Sequence, residues 1–273
     1  MPSAEEAQSV NKGALDVAFS PTGYMDELAD VFPLLAYMSG GLSPVQYITW
    51  LPWEGNALME EMYSKYVPGV QYICVPQVDP PEVFAHSSVP ISTVADLQKL
   101  KMRTAGEGGE ILYRMGVPVV SFPSADIYEA MQKGTIDAFE SASIYINWGR
   151  AAHEIADYMY ISATRAPSDQ QGMSINREKW ESISPDLQQT IHDVFVSEQL
   201  LWYSENVAHE AEYLVKFQEY GVNVLPLPKA VEDAYVEEAK KYYGEKAASD
   251  PEYARVLDSI NRWKTICDEQ RIQ

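Results

Sequence analysis

The sequence contains only two cysteines, Cys74 and Cys267, and four histidines among its 273 residues. Two cysteines are too few for a disulfide framework, and their separation in sequence says nothing about whether they pair. The chain has no C-x-x-C motif, and its histidines are scattered. We therefore expect two structural thiols, and we expect neither a metal site nor a redox cofactor.

Basic residues are also scarce, because 20 Lys and Arg stand against 40 Asp and Glu, for a net charge of −20. Proteins that bind nucleic acid usually present a basic surface, and so do proteins that bind anionic membranes. The composition argues against both partners. An anionic small ligand would have to be held by local positive groups against an unfavourable overall field.

No stretch approaches the ~20 apolar residues of a transmembrane helix, and the first ten residues, MPSAEEAQSV, lack the apolar core of a secretory signal. The glycine-rich segment 105–110 (AGEGGE) is followed by Ile111 where a G-x-G-x-x-G motif needs glycine. H-E-x-x-H, G-x-S-x-G and EF-hand patterns are absent as well. The absence of these phosphate-binding and catalytic motifs argues against an enzyme, although a missing signal peptide would be natural for a cytosolic one.

What is present is enough to build packed cores, with 46% hydrophobic and 11% aromatic residues. Strand-like and helix-like segments alternate, which predicts an α/β fold with largely parallel sheets. The phrase NKGALDVAF (11–19) returns as QKGTIDAFE (132–140), and each predicts a helix, a glycine stop and a strand. Two similar lobes would explain this repeat. So would the usual way in which α/β proteins end a helix at a glycine before the next strand.

Several helix boundaries have local signals. A short helix over 3–12 would be capped by Ser3, and Ser43-Pro44, Thr93 with Asp96, and Ser124 would begin later helices. Residues 185–220 contain neither Gly nor an internal Pro and keep a helical apolar stripe. As one helix they would extend about 54 Å. Two helices with an unmarked bend remain an alternative.

Arg103 is the main candidate for ligand binding. It follows a short strand and precedes a glycine-rich turn, and ligands of α/β sheets bind beyond the carboxyl ends of strands. A guanidinium there can bind a carboxylate through two parallel hydrogen bonds, although a surface ion pair is the alternative. Glu140 and Ser141 end a later strand and Ser20 ends an early one, while His86 lies in a strand that could line a cleft.

The order of these features resembles the solute-binding proteins of TRAP transporters, the DctP-type family. The likeness rests on LKMRTAG (100–106), on ILYRMGVPVVSFPSADIYEAMQKGTIDAFES (111–141), and on SINREKWESISPDLQQTI (174–191). It implies a two-lobed α/β fold like that of periplasmic binding proteins, with a cleft between the lobes and a long lobe-spanning helix. Lobe I would comprise 1–88 and about 177–228, lobe II would comprise 89–176, and helices of 229–273 would pack across both.

By this resemblance Arg103 falls on the carboxylate-binding arginine of the family. Phe122, Glu140 and Ser141 fall on cleft positions. We expect Phe122 and Tyr24 to pack on the carbon skeleton of the ligand, with core packing as the alternative. Glu140 and Ser141 would contact a hydroxyl or keto group.

Two departures from the family pattern qualify the resemblance. Family members begin with a signal peptide and a strand–helix unit upstream of the segment that aligns with residues 3–16, so we expect that this chain lacks them. Members that resemble 2-oxo-acid binders carry Glu-Trp at 140–141 and a second acid where this chain has Ala166. A single carboxylate makes a weak site for a hard cation, so we do not expect a metal ion. If one were present, Glu140 would be its carboxylate ligand. Arg165 could instead meet a second ligand carboxylate.

The sequence therefore predicts a periplasmic solute-binding protein without cofactor or catalysis. It would capture a small organic acid (a 2-oxo acid, a dicarboxylate or a sugar acid) and deliver it to the membrane subunits of a TRAP permease. A cytosolic α/β enzyme acting on a small carboxylate and a ligand-sensing module are the alternatives. The sequence does not distinguish a monomer from a homodimer.

Overall fold

The computed structural model describes residues 5–272, in which two β-sheets are surrounded by helices. The strands are β1 (Val17–Pro21), β2 (Val70–Asp79), β3 (Ala85–Ser87), β4 (Met102–Arg103), β5 (Val119–Val120), β6 (Ala138–Phe139), β7 (Tyr158–Ile161), β8 (Asp169–Asn176) and β9 (Asn223–Pro226). One sheet has the order β1-β8-β2, and the other has the order β5-β4-β6-β3-β7-β9.

The helices follow a comparable order along the described chain. They are α1 (Glu6–Asn11), α2 (Val31–Tyr37), α3 (Pro44–Trp50), α4 (Asn56–Tyr66), α5 (Val94–Leu97), α6 (Gly106–Arg114), α7 (Ile127–Gln132), α8 (Ile144–Gly149), α9 (Ala152–Ile155), α10 (Arg177–Glu181), α11 (Pro185–Tyr220), α12 (Lys229–Ser249) and α13 (Pro251–Gln270).

The prediction of largely parallel sheets is wrong for the three-stranded sheet, in which β8 runs antiparallel to both β1 and β2. The reason lies in the connections between the sheets. The chain leaves the small sheet through β2 and returns to it through β8, so the two strands run in opposite directions. In the larger sheet β4 is parallel to β5 and β6, and β7 is parallel to β9, while β3 is antiparallel to its neighbours.

The sheets do not follow the predicted lobe boundaries at every strand. Strands β3 and β9, assigned above to lobe I, both pair with β7 in the six-stranded sheet, and β8 belongs to the three-stranded sheet. The segments 80–84 and 162–168 therefore connect the sheets, together with the end of α11. The exact lobe boundaries remain a prediction.

Most of the local helix signals act as expected. Ser43 and Thr93 each form a capping box, with Gln46 and Asp96 respectively. Residues 185–220 form one continuous helix, which ends at Gly221 with φ +106°. Ser124 does not cap α7, because residues Ser124–Asp126 form a separate 3₁₀ turn before it. The predicted cap at Ser3 lies outside the described residues.

The glycines of the repeated phrase stand where the sequence predicts helix ends. Gly13 and Gly134 both have positive φ, +72° and +65°, directly after the last turns of α1 and α7. A residue with a Cβ would be strained in this left-handed conformation. Each phrase therefore forms helix, glycine stop and strand, as predicted. Cys74 and Cys267 are buried, unpaired thiols.

Glu107 is a buried carboxyl between α6 and the two C-terminal helices. It is 6% exposed, its Oε1 accepts hydrogen bonds from the hydroxyls of Tyr242 (3.2 Å) and Tyr253 (3.1 Å), and Lys246 Nζ lies 3.8 Å away. Burial raises the pKa of Glu107 from 4.5 to about 7, and Lys246 opposes this shift. The folded protein consequently favours the neutral acid.

We expect Glu107→Gln to stabilise the protein above pH 7 and to have little effect near pH 4. Because the folded pKa exceeds the unfolded one, the folded state holds the extra proton, and this contribution is complete below pH 4.5 and lost as the pH rises through 7. The full difference is about 3 kcal/mol. Melting temperatures from pH 4 to 8 measure it, with the exposed Glu110→Gln on the same helix as control. A pH-independent change in melting temperature would contradict this account.

Candidate functional site

Arg103, Phe122 and Glu140 meet at the carboxyl edge of three parallel strands. Arg103 is the last residue of β4 and is paired with Val120 of β5 and with Phe139 of β6. The segments that contain Phe122 and Glu140 begin where those two neighbours end. The topology therefore brings together three residues that are far apart in sequence, at the edge where α/β sheets bind ligands.

The guanidinium of Arg103 is held by backbone carbonyls. Its Nε and Nη2 donate to the Phe122 carbonyl oxygen at 3.0 and 2.8 Å, and its Nη1 donates to the Glu140 carbonyl oxygen at 3.0 Å. The Phe122 ring centroid is 5.9 Å from Arg103 Cζ, a cation–π contact. A guanidinium has five N–H donors, so within residues 5–272 one N–H on each Nη remains for a ligand. These two N–H groups, called the fork of Arg103 from here on, can donate to the oxygens of a carboxylate.

The side chain of Glu140 lies beneath this guanidinium, 3% exposed. Its Oε1 accepts a hydrogen bond from the Ala105 backbone N–H at 2.7 Å and lies 3.6 Å from Arg103 Nη1. Its Oε2 lies 2.7 Å from Arg165 Nη2. Burial raises the pKa of Glu140, and the charge of Arg103 opposes that shift. Both carboxyl oxygens are thus engaged by the protein, and a contact of Glu140 with a ligand hydroxyl or keto group stays a prediction.

A cavity of about 310 Å³ adjoins this site through Ser141. Arg150, at the end of α8, donates to Ser141 Oγ and lies on the cavity wall. Asn147 also lines the cavity, is fully buried, and its Oδ1 has no hydrogen-bond partner among the described residues. Mostly apolar neighbours complete the wall: Ser124, Ala125, Ile127, Tyr128, Phe139, Ala152 and Ile155. The volume is at the lower end of the range for small-molecule sites.

Arg150 was not predicted from the sequence as a site residue. It follows Gly149 at the end of a six-residue helix, and no strand, glycine turn or motif marks it in the sequence. Only the fold brings it back toward the strand ends, nine residues after Ser141. Burial lowers the pKa of Arg150, and the charges of Tyr24 and Glu140 oppose this shift.

Tyr24 and Ser20 both belong to the first strand of the other sheet and the turn that follows it, and their contact with a ligand stays a prediction. Tyr24 lies in the turn after β1 and is 45% exposed, and its pKa is raised by burial and by Asp169 but lowered by Arg103. Its ring is partly exposed, and packing of this ring on a ligand stays a prediction. Ser20 is buried, and its hydroxyl donates to Glu6 Oε2 at 2.6 Å, on the side of α1.

His86 lies inside the protein behind the cavity. Its side chain is fully buried, stacks on Phe139 with 4.9 Å between ring centroids, and has its Nε2 3.2 Å from Asn147 Nδ2. Burial lowers the pKa of His86 to about 3, so the ring is neutral. The structure therefore places His86 as a support for Asn147 and Phe139, and direct ligand contact stays a prediction.

Two segments connect the sheets, the outgoing connection (80–84) and the return connection (162–168), and Arg165 lies on the return connection. Its guanidinium contacts Glu82 on the outgoing connection as well as Glu140. The backbone N–H of Glu82 donates to the Ala166 carbonyl oxygen at 3.1 Å, so the two connections are also joined through their backbones. The side chain is 5% exposed and is committed to these two carboxylates.

Comparison with known proteins gives concordant matches. The model of the family described as DctP, bacterial extracellular solute-binding protein family 7, matches residues 1–250. The monocarboxylate 2-oxoacid-binding periplasmic protein all3028 of Nostoc sp. is 27% identical over 141 residues, which is 52% of this chain and 39% of that relative. The chain thus matches about two fifths of the length of this curated relative.

Two solved structures, each 24% identical to this chain, share its fold. One is a TRAP periplasmic solute-binding protein from Pseudoalteromonas atlantica T6c with bound sodium and pyruvate, with a TM-score of 0.89 over 98% of this chain and 81% of that chain. The other, from Colwellia psychrerythraea, has bound calcium and pyruvate and gives a TM-score of 0.90 over 97% and 81%. They confirm the predicted two-lobed α/β fold.

Proposed function

Because the chain belongs to the DctP family of bacterial extracellular solute-binding proteins, we propose that it captures a small organic carboxylate and delivers it to a TRAP-type membrane permease. The observation that carries the proposal is the free fork of Arg103. Two N–H groups of a nearly buried guanidinium remain without a hydrogen-bond partner among the described residues, at a strand edge beside a cavity, and Glu140 Oε1 lies 3.6 Å from Nη1. A carboxylate satisfies both in one plane.

The cavity and its polar groups suggest the ligand class. With the carboxylate on Arg103, Ser141, Asn147 and Arg150 would meet a keto, hydroxyl or second acidic group, and Phe122 and Tyr24 would cover the carbon skeleton. The Nostoc relative is named for 2-oxo monocarboxylates, and both solved relatives hold pyruvate. We therefore place 2-oxo acids first, ahead of dicarboxylates and sugar acids.

The two solved relatives have a bound sodium or calcium ion, and a metal ion at the strand edge does not fit the residues of this chain. Glu140 is the carboxylate at the strand edge, and both of its oxygens already contact N–H groups or cationic nitrogens. Two guanidinium groups stand where an ion would need further oxygen ligands. Among residues 5–272, no group of three or more His, Cys, Asp or Glu side chains is arranged to hold a metal.

We also propose that the protein acts outside the cytoplasm, because its family consists of extracellular solute-binding proteins. Within the described residues, no helix has both the length and the apolar character that crossing a bilayer requires. The membrane subunits of the permease would be the partner. The family and the solved neighbours are solute-binding proteins, which favours binding over catalysis. The oligomeric state, monomer or homodimer, is a question for direct measurement.

A thermal-shift screen tests the proposed function. We expect one or more acids of a panel of 2-oxo acids, dicarboxylates and sugar acids to raise the melting temperature, and the amide of the same acid to have no effect. A ligand at 100 times its dissociation constant adds about 2.7 kcal/mol to the free energy of unfolding. If the folded protein shows equal shifts with acids and amides, or none with any acid, carboxylate capture is the wrong function.

A further inference from the structure

Arg165 is a buried arginine that joins three parts of the protein at one point. It lies on the return connection, contacts Glu82 on the outgoing connection, and contacts Glu140 at the strand edge with 2.7 Å between Nη2 and Oε2. Its backbone is fixed as well, because the Ser39 hydroxyl donates to the Arg165 carbonyl oxygen at 2.7 Å. The guanidinium therefore has a defined position beside the proposed ligand site.

The carboxylate of Glu140 needs a nearby positive charge, because an isolated buried carboxylate is very unfavourable. Two cations are within reach, but their roles differ. Arg165 Nη2 is at hydrogen-bonding distance from Oε2, whereas Arg103 Nη1 is 3.6 Å from Oε1 and donates to the backbone carbonyl instead. Arg165 is therefore the nearer of the two cations to Glu140, while the charge of Arg103 also stabilises the carboxylate.

The same geometry excludes a bound cation at this carboxylate. A calcium ion on Glu140 would lie 2.3–2.6 Å from its oxygens, in the space that the Arg165 nitrogen occupies at 2.7 Å from Oε2. The ion and the guanidinium compete for one position. We propose that Arg165 is an internal cation that takes the place of a metal ion beside Glu140, so that this protein binds its carboxylate without a metal. The inference rests on the proposed function.

Calorimetric titration with the panel acid that gives the largest thermal shift tests the inference. We expect the same dissociation constant, within about twofold, in chelator-treated sodium-free buffer and in buffers with excess calcium or sodium, because Arg165 already neutralises Glu140. Binding that requires calcium or sodium would overturn the inference and retain the proposed function. Binding of no acid in any buffer would overturn both.

The variant Arg165→Met provides a sharper test. We expect its affinity in chelator to fall by about 100-fold, since Glu140 is left as an unpaired charge. Calcium should then increase the affinity of the variant for the acid at least tenfold, because the freed carboxylates can coordinate the ion. The double variant Arg165→Met with Glu140→Gln should show no such increase with calcium. Arg177→Met is the matched control, because Arg177 binds the backbone carbonyl oxygens of Pro68 and Val70 elsewhere.

Two outcomes would contradict a role for Arg165 as an internal cation. Equal loss of affinity with and without calcium would mean that Arg165 only maintains the shape of the connections. Unchanged affinity in chelator would mean that its charge is not needed. If Arg165→Met does not fold, Arg165→Lys keeps the charge and should bind in chelator without any gain from calcium, and a gain would overturn the inference.

Discussion

Replacing Arg103 with methionine is expected to abolish most of the affinity for the carboxylate. The guanidinium keeps two N–H groups without a hydrogen-bond partner among residues 5–272, and Arg103 is 7% exposed. A charge-assisted contact in such a dry position is lost at a cost of about 3 kcal/mol, or roughly 150-fold in dissociation constant. Calorimetry with the acid selected in the thermal-shift screen measures the change.

The controls must separate binding from folding, because Arg103 also holds the carbonyl oxygens of Phe122 and Glu140. A melting curve without ligand establishes whether the variant folds. Arg103→Lys keeps the charge but loses the fork and should retain only part of the affinity. Arg114→Met, on α6 and paired with Glu110 and Glu245, should bind as the unmodified protein does. An Arg103→Met variant that folds and binds normally would exclude Arg103 as the anchor.

Replacing Trp50 with alanine is expected to have the largest effect on stability. Trp50 is the last residue of α3, and its side chain is fully buried against α13. Its Nε1 donates to Ser259 Oγ at 3.0 Å, and its ring centroid is 5.5 Å from that of Tyr47. Truncation leaves a cavity and removes a hydrogen bond, which costs about 3–5 kcal/mol. Chemical denaturation monitored by circular dichroism measures the free energy of unfolding.

Trp53 supplies a matched control three residues later. It is 39% exposed and packs against Trp263 with 4.6 Å between ring centroids and an interplanar angle of 30°, so Trp53→Ala removes surface packing and leaves no closed cavity. We expect a cost of about 1 kcal/mol. Equal costs for the two tryptophans would contradict the packing described here for α3 and α13.

The local signals in the sequence were sufficient for most elements. Ser43 and Thr93 cap helices, and Gly134 ends one in a left-handed conformation, because these effects involve residues within one helical turn. The direction of β8 was not predictable in this way. It depends on the path of the chain between two sheets, and a strand has the same sequence pattern whichever way it pairs.

The same distinction applies to the candidate site. Arg103 was identified because a strand end and a glycine-rich turn mark it locally. The contacts of Arg165 with Glu82 and Glu140 join positions that are 83 and 25 residues away in sequence (165 minus 82, and 165 minus 140), and no short-range pattern predicts them. Arg150 was missed for the same reason, since its place beside Ser141 depends on how α8 packs.

The most direct test of the account is a crystal structure of the protein with the carboxylate that gives the largest thermal shift, grown in chelator. The account predicts the ligand carboxylate on Nη1 and Nη2 of Arg103, with its carbon skeleton against Phe122 and Tyr24 and with Arg165 still on Glu140. A ligand bound elsewhere, for example in the open cavity lined by Thr104, Gly106 and Ser121, with the Arg103 fork empty, would contradict it.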